Sequence, residues 1–174
     1  MSHLTPPVGS HDHIQGAADA PVTLVEYGDF ECPYCGAMYG VIKAVQTMMG
    51  DELRFVFRQF PLSDMHPHAL RAAEFSEAAA TVGTFWQAHD SLYENQAALT
   101  DRDLVAYGTQ LGLHSRDLDA AFAGTYDETI QRDFDSGLRS GVNGTPTLFI
   151  NGHRYEGDRD VQTLVAALRA AAGS

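Results

Sequence analysis

The sequence predicts an α/β domain interrupted by a block of helices, with a redox-active pair of thiols at the start of its first long helix. Three observations carry this. Apolar runs of strand length stand near both ends of the chain, and the middle reads as helix. The only two cysteines in 174 residues form Cys32-Pro33-Tyr34-Cys35, behind a strand and ahead of a helix. Strand, tight turn, Cys-x-x-Cys and helix is the layout in which such a pair does redox work.

Taken in order, Asp19-Ala20-Pro21 is a turn into a strand over 22–27, Val-Thr-Leu-Val-Glu-Tyr. After the cysteines, Cys35, Met38, Ile42, Val45 and Met49 recur at three and four, the period of a helix with one apolar face. A second strand spans 53–60 and ends at Pro61. From about 63 to 135 the pattern is helical, broken at Gly83, Gly112 and Gly124. His68, Ala69, Ala72, Phe75, Ala79 and Val82 are expected to share one face of the first of these helices. Thr84, with Gln87 three residues on, is a capping-box signal for the next. Thr100 and Ser115 precede two more, and a fifth starts near Asp127. A strand follows over 144–150, and Asn151-Gly152 is a two-residue hairpin turn into His153-Arg154-Tyr155. Val161, Leu164, Val165 and Leu168 mark a last amphipathic helix.

Length fits one domain, or one with an insertion. Eleven Lys and Arg against 23 Asp and Glu give a net charge of −12, which argues against nucleic acid or an anionic membrane as partner. No apolar run reaches the length of a membrane span. Residues 1–20 hold no basic stretch followed by an apolar one, so the expectation is a cytoplasmic protein, with an exported mature form as the alternative, and a flexible segment over 1–13.

The chemistry follows from position. At a helix N-terminus, Cys32 meets free backbone N–H groups and the positive end of the helix dipole, which favour a thiolate. Pro33 at the first helical position needs no N–H partner. Cys35, one turn in, is placed to attack a mixed disulfide on Cys32. A structural disulfide in so short a loop constrains the unfolded chain little. A zinc site needs two further ligands, and His66 and His68 lack the spacing. No metal and no bound cofactor is expected. Glu26 is an acid in an apolar run, either an outward charge on a half-exposed strand or a buried carboxyl exchanging protons with Cys35. His66, His68 and His89 read as packing or solvent-facing histidines.

Two segments, Ala20 to Cys35 and Gly141 to Gly152, resemble the signatures of DsbA-like thiol–disulfide oxidoreductases, and Phe85-Trp86-Gln-Ala-His89-Asp is similar to the helical part of that family. The resemblance implies a thioredoxin-like core over 14–62 and 137–174 with a helical insertion over 63–136. It implies that Cys32 is the exposed nucleophile and Cys35 the buried resolving thiol. Pro146 matches a cis-proline facing the pair, and Thr145 the residue whose backbone pairs with an extended substrate. Pro33 and Tyr34 would border that substrate, and Glu26 matches a buried acid beneath the site. The partners implied are protein or peptide thiols and disulfides, with glutathione or another oxidoreductase for recycling. A glutathione-using transferase or isomerase relative and a peptide-binding, chaperone-like module are the alternatives. Tyr34 carries no positive charge, so Cys32 is expected to be less acidic than in the strong periplasmic oxidants. Pro33-Tyr34 resembles the dipeptide of many glutaredoxins, which implies an intermediate potential, about −200 to −230 mV.

Overall fold

The computed structural model describes residues 2–174. Strands β1 (His13–Gly16), β2 (Val22–Gly28), β3 (Leu53–Gln59), β4 (Thr147–Ile150) and β5 (His153–Tyr155) form one sheet in the order β1-β3-β2-β4-β5. β2 and β3 are parallel and are joined across helix α1 (Pro33–Met49). The other neighbours run antiparallel. Between β3 and β4 come five consecutive helices: α2 (Ala69–Ala80), α3 (Phe85–Glu94), α4 (Asp101–Gln110), α5 (Ser115–Phe122) and α6 (Asp127–Arg139). Helix α7 (Val161–Ala172) closes the described chain. This is a thioredoxin-like α/β fold with helices entering between its halves.

The central strands are buried on both faces, which is why they read as unbroken apolar runs. Leu24, Phe55, Phe57, Leu148 and Ile150 belong to the larger core, with Met38, Ile42, Val45 and Met49 of α1 and Leu164, Val165 and Leu168 of α7. The α1 stripe predicted from spacing is the face that α1 buries. Val25, Tyr27, Val56 and Phe149 form a second cluster on the other face, with Phe60, Val142 and Phe134 of α6 packed there. At the β4–β5 hairpin, Asn151 (φ 47°) and Gly152 (φ 83°) both take the left-handed backbone that a two-residue turn requires.

The segment expected to be loose is tied down. Arg58 of β3 is almost fully buried, and a buried guanidinium must find acceptors. It donates to both Asp12 carboxylate oxygens at 2.7 and 3.0 Å, to the carbonyls of Pro6 and Pro7 at 3.1 and 3.3 Å, and to Tyr27 Oη at 2.9 Å. The Leu4 amide donates to the Gly152 carbonyl at 2.8 Å, and its side chain joins the second cluster. The first strand, unpredicted, begins directly behind this anchor at His13. Capping differs too. Thr84 accepts no amide, and its hydroxyl donates to the Ala79 carbonyl at 3.2 Å. The capping box forms at Thr100 and Asp103 instead. Ser115 is the first residue of α5, with His114 ahead of it. Helix α2 ends at Ala80, so Val82, expected on its apolar face, lies beyond it and is exposed.

Gly28 ends β2 on the same face as Glu26, because side chains two apart on a strand point one way. A Cβ there would overlap the Phe57 ring and stand 2.8 Å from Tyr93 Oη. Gly28→Ala is expected to destabilise the fold by about 1–3 kcal/mol through overpacking. Urea unfolding reads this; an unchanged midpoint would contradict the packing described.

Candidate active site

Cys32 precedes α1 with extended backbone, and Pro33 opens the helix. The Cys32 amide donates to the Asp29 carbonyl at 3.1 Å, closing the turn. The peptide bond between Thr145 and Pro146 is cis, and the Thr145 carbonyl lies 3.6 Å from Cys32 Sγ, which donates to it as a thiol. The Thr145 hydroxyl is buried without a hydrogen-bond partner. Cys32 is only 4% exposed, less open than the resemblance implies, since the Thr145 strand end lies against it. Pro33 and Tyr34 form the open rim, Tyr34 being 76% exposed.

The two sulfurs differ sharply in acidity. A hydrogen bond from the Cys35 thiol lowers the Cys32 pKa most, against the opposing effect of burial. The Thr145 hydroxyl and the backbone N–H groups of Cys35 and Tyr34 lower it further, to about 5. No cation between the cysteines is needed. Cys35 is fully enclosed, and its pKa is pushed far up by desolvation first, then by the hydrogen bond to Cys32 and the charge of Glu26. At neutral pH one sulfur is a thiolate and the other a thiol.

Of the two readings of Glu26, burial is the one observed. It is 1% exposed, and its neighbours across the sheet are Phe57 on β3 and Leu148 on β4. Its Oε1 has no hydrogen-bond partner in the protein. Desolvation raises its pKa to about 8, with Arg159 opposing and Cys32 adding to the rise.

Several residues that the sequence reading passed over tie this turn to the insertion. The buried Asp29 carboxylate accepts from the amides of Glu31 at 2.8 Å and Leu62 at 3.0 Å, and meets His66 Nδ1 at 2.7 Å. The pull of burial on His66 is downward, but the hydrogen bond and charge of Asp29, then the charge of Cys32, leave its pKa raised. Glu31 accepts from the His68 amide at 3.0 Å. Gln96, just past α3, donates to the carbonyls of Phe30 and Cys32, each at 2.9 Å. The surest signal for the histidine contacts was two acids and two histidines spaced alike, Asp29 and Glu31 against His66 and His68. His89 is buried among Phe30, Phe57, Trp86 and Tyr93, and burial lowers its pKa, so it packs as a neutral ring. Among the described residues, no group of three His, Cys, Asp or Glu side chains is arranged to hold a metal ion.

A low-pKa thiol at a helix tip, a buried thiol one turn in and a proline-led strand opposite stand together on a thioredoxin-like fold. A profile of the thioredoxin family matches residues 9–170, and the chain belongs to that family. The solved structures it resembles are DsbA-like. BdbD from Bacillus subtilis superposes with a TM-score of 0.87 at 21% identity, covering 99% of each chain. α-DsbA1 from Wolbachia pipientis gives 0.81 at 17% identity, over 98% of this chain and 94% of the other. Curated relatives include Na(+)/H(+) antiporter NhaA 1 of Salinispora arenicola, 41% identical over 172 residues, which are 97% of this chain and 26% of that protein. NhaA 1 of Mycolicibacterium gilvum is 40% identical over 173 residues, 98% of this chain and 28% of the other. The chain thus spans about a quarter of the length of these curated relatives. No helix among the described residues is long and apolar enough to cross a membrane.

The Glu26 shift has a stability consequence. Between pH 4.5 and about 8 the folded protein keeps a proton on Glu26 that the unfolded chain has released. The folded state binds more protons there, so this group's contribution falls as pH rises through the window and stays lost above it. Glu26→Gln should match the wild type near pH 4 and exceed its stability at pH 9 by a few kcal/mol, on the order expected from such a shift. Denaturant unfolding at the two pH values checks this; an equal difference at both would point to a solvated carboxylate.

Proposed function

We propose that this chain exchanges disulfides with protein or peptide substrates through Cys32 and Cys35, without a bound cofactor. The observation that carries the reading is the split in surroundings of the two sulfurs. Cys32 stands at the helix tip beside Thr145 and Cys35 is fully enclosed beneath it, which lowers the pKa of the first and raises that of the second. In the reducing direction the Cys32 thiolate attacks a substrate disulfide. The substrate S–S bond breaks, a substrate thiolate leaves, and Cys32 is held in a mixed disulfide. Cys35 then gives its proton to Glu26 in its ionised form, the minority form below about pH 8, and attacks Cys32 Sγ. The second substrate thiolate leaves, and the Cys32–Cys35 disulfide holds the oxidising equivalents. The reverse sequence oxidises a substrate dithiol.

Thr145, beside the nucleophile at the head of β4, is suited to pair its backbone with an extended substrate, and Pro146, Pro33 and Tyr34 would border that strand. A glutathione-type relative working from one nucleophile has no use for a buried second thiol, and the enclosed Cys35 favours the two-cysteine reading over it. A peptide-binding module acting without its thiols would leave the lowered Cys32 pKa unexplained. The antiporter names belong to far longer proteins, and the reading rests on the site rather than on them.

A thiolate of this acidity lies between the values near 3.5 of DsbA and near 7 of thioredoxin. The couple should therefore stand between their potentials, about −120 and −270 mV, near −200 mV. In a reducing compartment it would rest as the dithiol and reduce or isomerise; in an oxidising one it would donate its disulfide. Glutathione or another oxidoreductase would recycle it.

The test is trapping. Cys35→Ala should accumulate mixed disulfides with peptide substrates, Cys32→Ser should form none, and both should lose turnover in a disulfide-reduction assay. Full turnover by Cys32→Ser would end the proposal.

A further inference from the structure

The turn that presents Cys32 is held from outside by two acid–histidine pairs. Asp29 and Glu31 stand on the turn, and His66 and His68 on the segment between β3 and α2. The Asp29 carbonyl accepts the Cys32 amide at 3.1 Å, so these two residues open and close one tight turn. Their Cα atoms are then within about 7 Å of each other. The side chain of Asp29 is wholly buried and meets His66 Nδ1 at 2.7 Å, which fixes the imidazole against the turn. The His66 side chain keeps 17% of its surface open, a path by which it can exchange a proton with water. The second pair is looser. His68 Nδ1 is 3.4 Å from Glu31, and its side chain is 37% exposed.

A buried carboxylate calls for a compensating charge. Among the described residues, the basic side chains within ion-pair distance of Asp29 and Glu31 are both histidines. We propose that His66 is the cation of this turn: fixed by Asp29, it positions a positive charge on the flank of Cys32, and it takes up or releases that proton as the pair is reduced or oxidised. The inference rests on the thiol–disulfide reading and deepens it. Tyr34 brings no charge between the cysteines, so the charge comes from the segment that leads into the helical insertion. His89 does not supply it. That ring is buried beside Asp90, which Lys43 also meets at 2.8 Å, and burial keeps it neutral.

The groups facing His66 agree in sign. Burial pulls its pKa down, while Asp29, then Cys32, then Glu31 pull it up, and it stands raised. Coupling of this kind is reciprocal, so an imidazolium favoured by the thiolate favours the thiolate equally. In the disulfide that negative charge is gone, and His66 holds its proton less tightly. Oxidation of the pair passes two electrons to a substrate disulfide and forms the Cys32–Cys35 bond. One proton comes from Cys35. In the pH range between the two His66 pKa values, a further proton leaves His66 for solvent. Lowering the pH through that range therefore favours the dithiol and makes the couple a stronger oxidant, beyond what the thiols themselves contribute.

The direct test is an NMR pH titration of the His66 imidazole in the reduced and the oxidised wild type. Its proton affinity should be about two- to five-fold higher in the reduced protein, the worth of a partly exposed ion pair. Reduced Cys32→Ser should titrate like the oxidised form. Equal His66 midpoints in reduced and oxidised wild type would overturn the proposal, and this comparison needs no substitution that could disturb folding. His66→Asn, which can keep an N–H for Asp29 while removing the charge, adds a second readout. Its equilibrium with glutathione should move about two- to five-fold toward the disulfide at pH 6 and match the wild type at pH 9, where both lack the cation. The same displacement at both pH values is what a purely structural role gives, and it would overturn the proposal. A wild type inert toward disulfides would sink the exchange reading itself, whereas an active one whose His66 ignores the redox state sinks this inference alone.

Discussion

The site depends on one boundary between a polar turn and an apolar interior, drawn through a single turn of helix. Cys32 lies on its outer side, within reach of backbone N–H groups at the tip of α1 and of Thr145. Cys35 lies on the inner side, enclosed by the core that α1 makes with the sheet. The same backbone that holds the sulfurs close enough to bond puts them in opposite dielectric surroundings. Water and N–H dipoles favour an anion, and a hydrocarbon interior opposes one. Glu26 extends the boundary downward, since Phe57 and Leu148 on the adjoining strands leave its carboxyl little but apolar surroundings. Its pKa near 8 keeps it close enough to neutrality to take and return a proton.

The helical insertion is part of this boundary rather than an ornament on it. The Asp29 carboxylate receives the Leu62 amide and His66, while Gln96 reaches from beyond α3 to the carbonyls of Phe30 and Cys32. Phe30 packs on Phe57 and Tyr93, so the residue that enters the active-site turn is also a core residue shared with α3. On the opposite face, Arg58 gathers residues 6–12 around its guanidinium and covers the sheet there. Removing one partner of such a buried pair leaves an uncompensated charge, and that is how a polar network holds a segment in place.

What the sequence could reveal followed from periodicity and turn chemistry. The α1 stripe from Cys35 to Met49, the strands around Val25 and Val56, and the Asn151-Gly152 hairpin were legible because each is a local rule. Glu26 was ambiguous for a physical reason. A central strand apolar on both faces shows no alternation, so nothing local says which way an acid points. Asp29 and His66 meet across 37 residues of chain and Tyr93 is brought in by α3, contacts that depend on helix packing, of which the like spacing of Asp29 and Glu31 to His66 and His68 is the one mark in the sequence. The first residues read as loose because Pro6, Pro7 and Gly9 suppress any period; the buried Arg58 that orders them lies far along the chain.

The central claim is that one sulfur of the pair is ionised at neutral pH while the other is not. Its most direct measure is the thiolate ultraviolet absorbance of the reduced protein as a function of pH, with Cys32→Ser as the reference. The account predicts one thiolate titrating near pH 5, lost in Cys32→Ser, and a second that stays silent through the alkaline range in which the fold survives. A wild-type midpoint near the ordinary thiol value of about 8.5, or two thiolates titrating together, would contradict it.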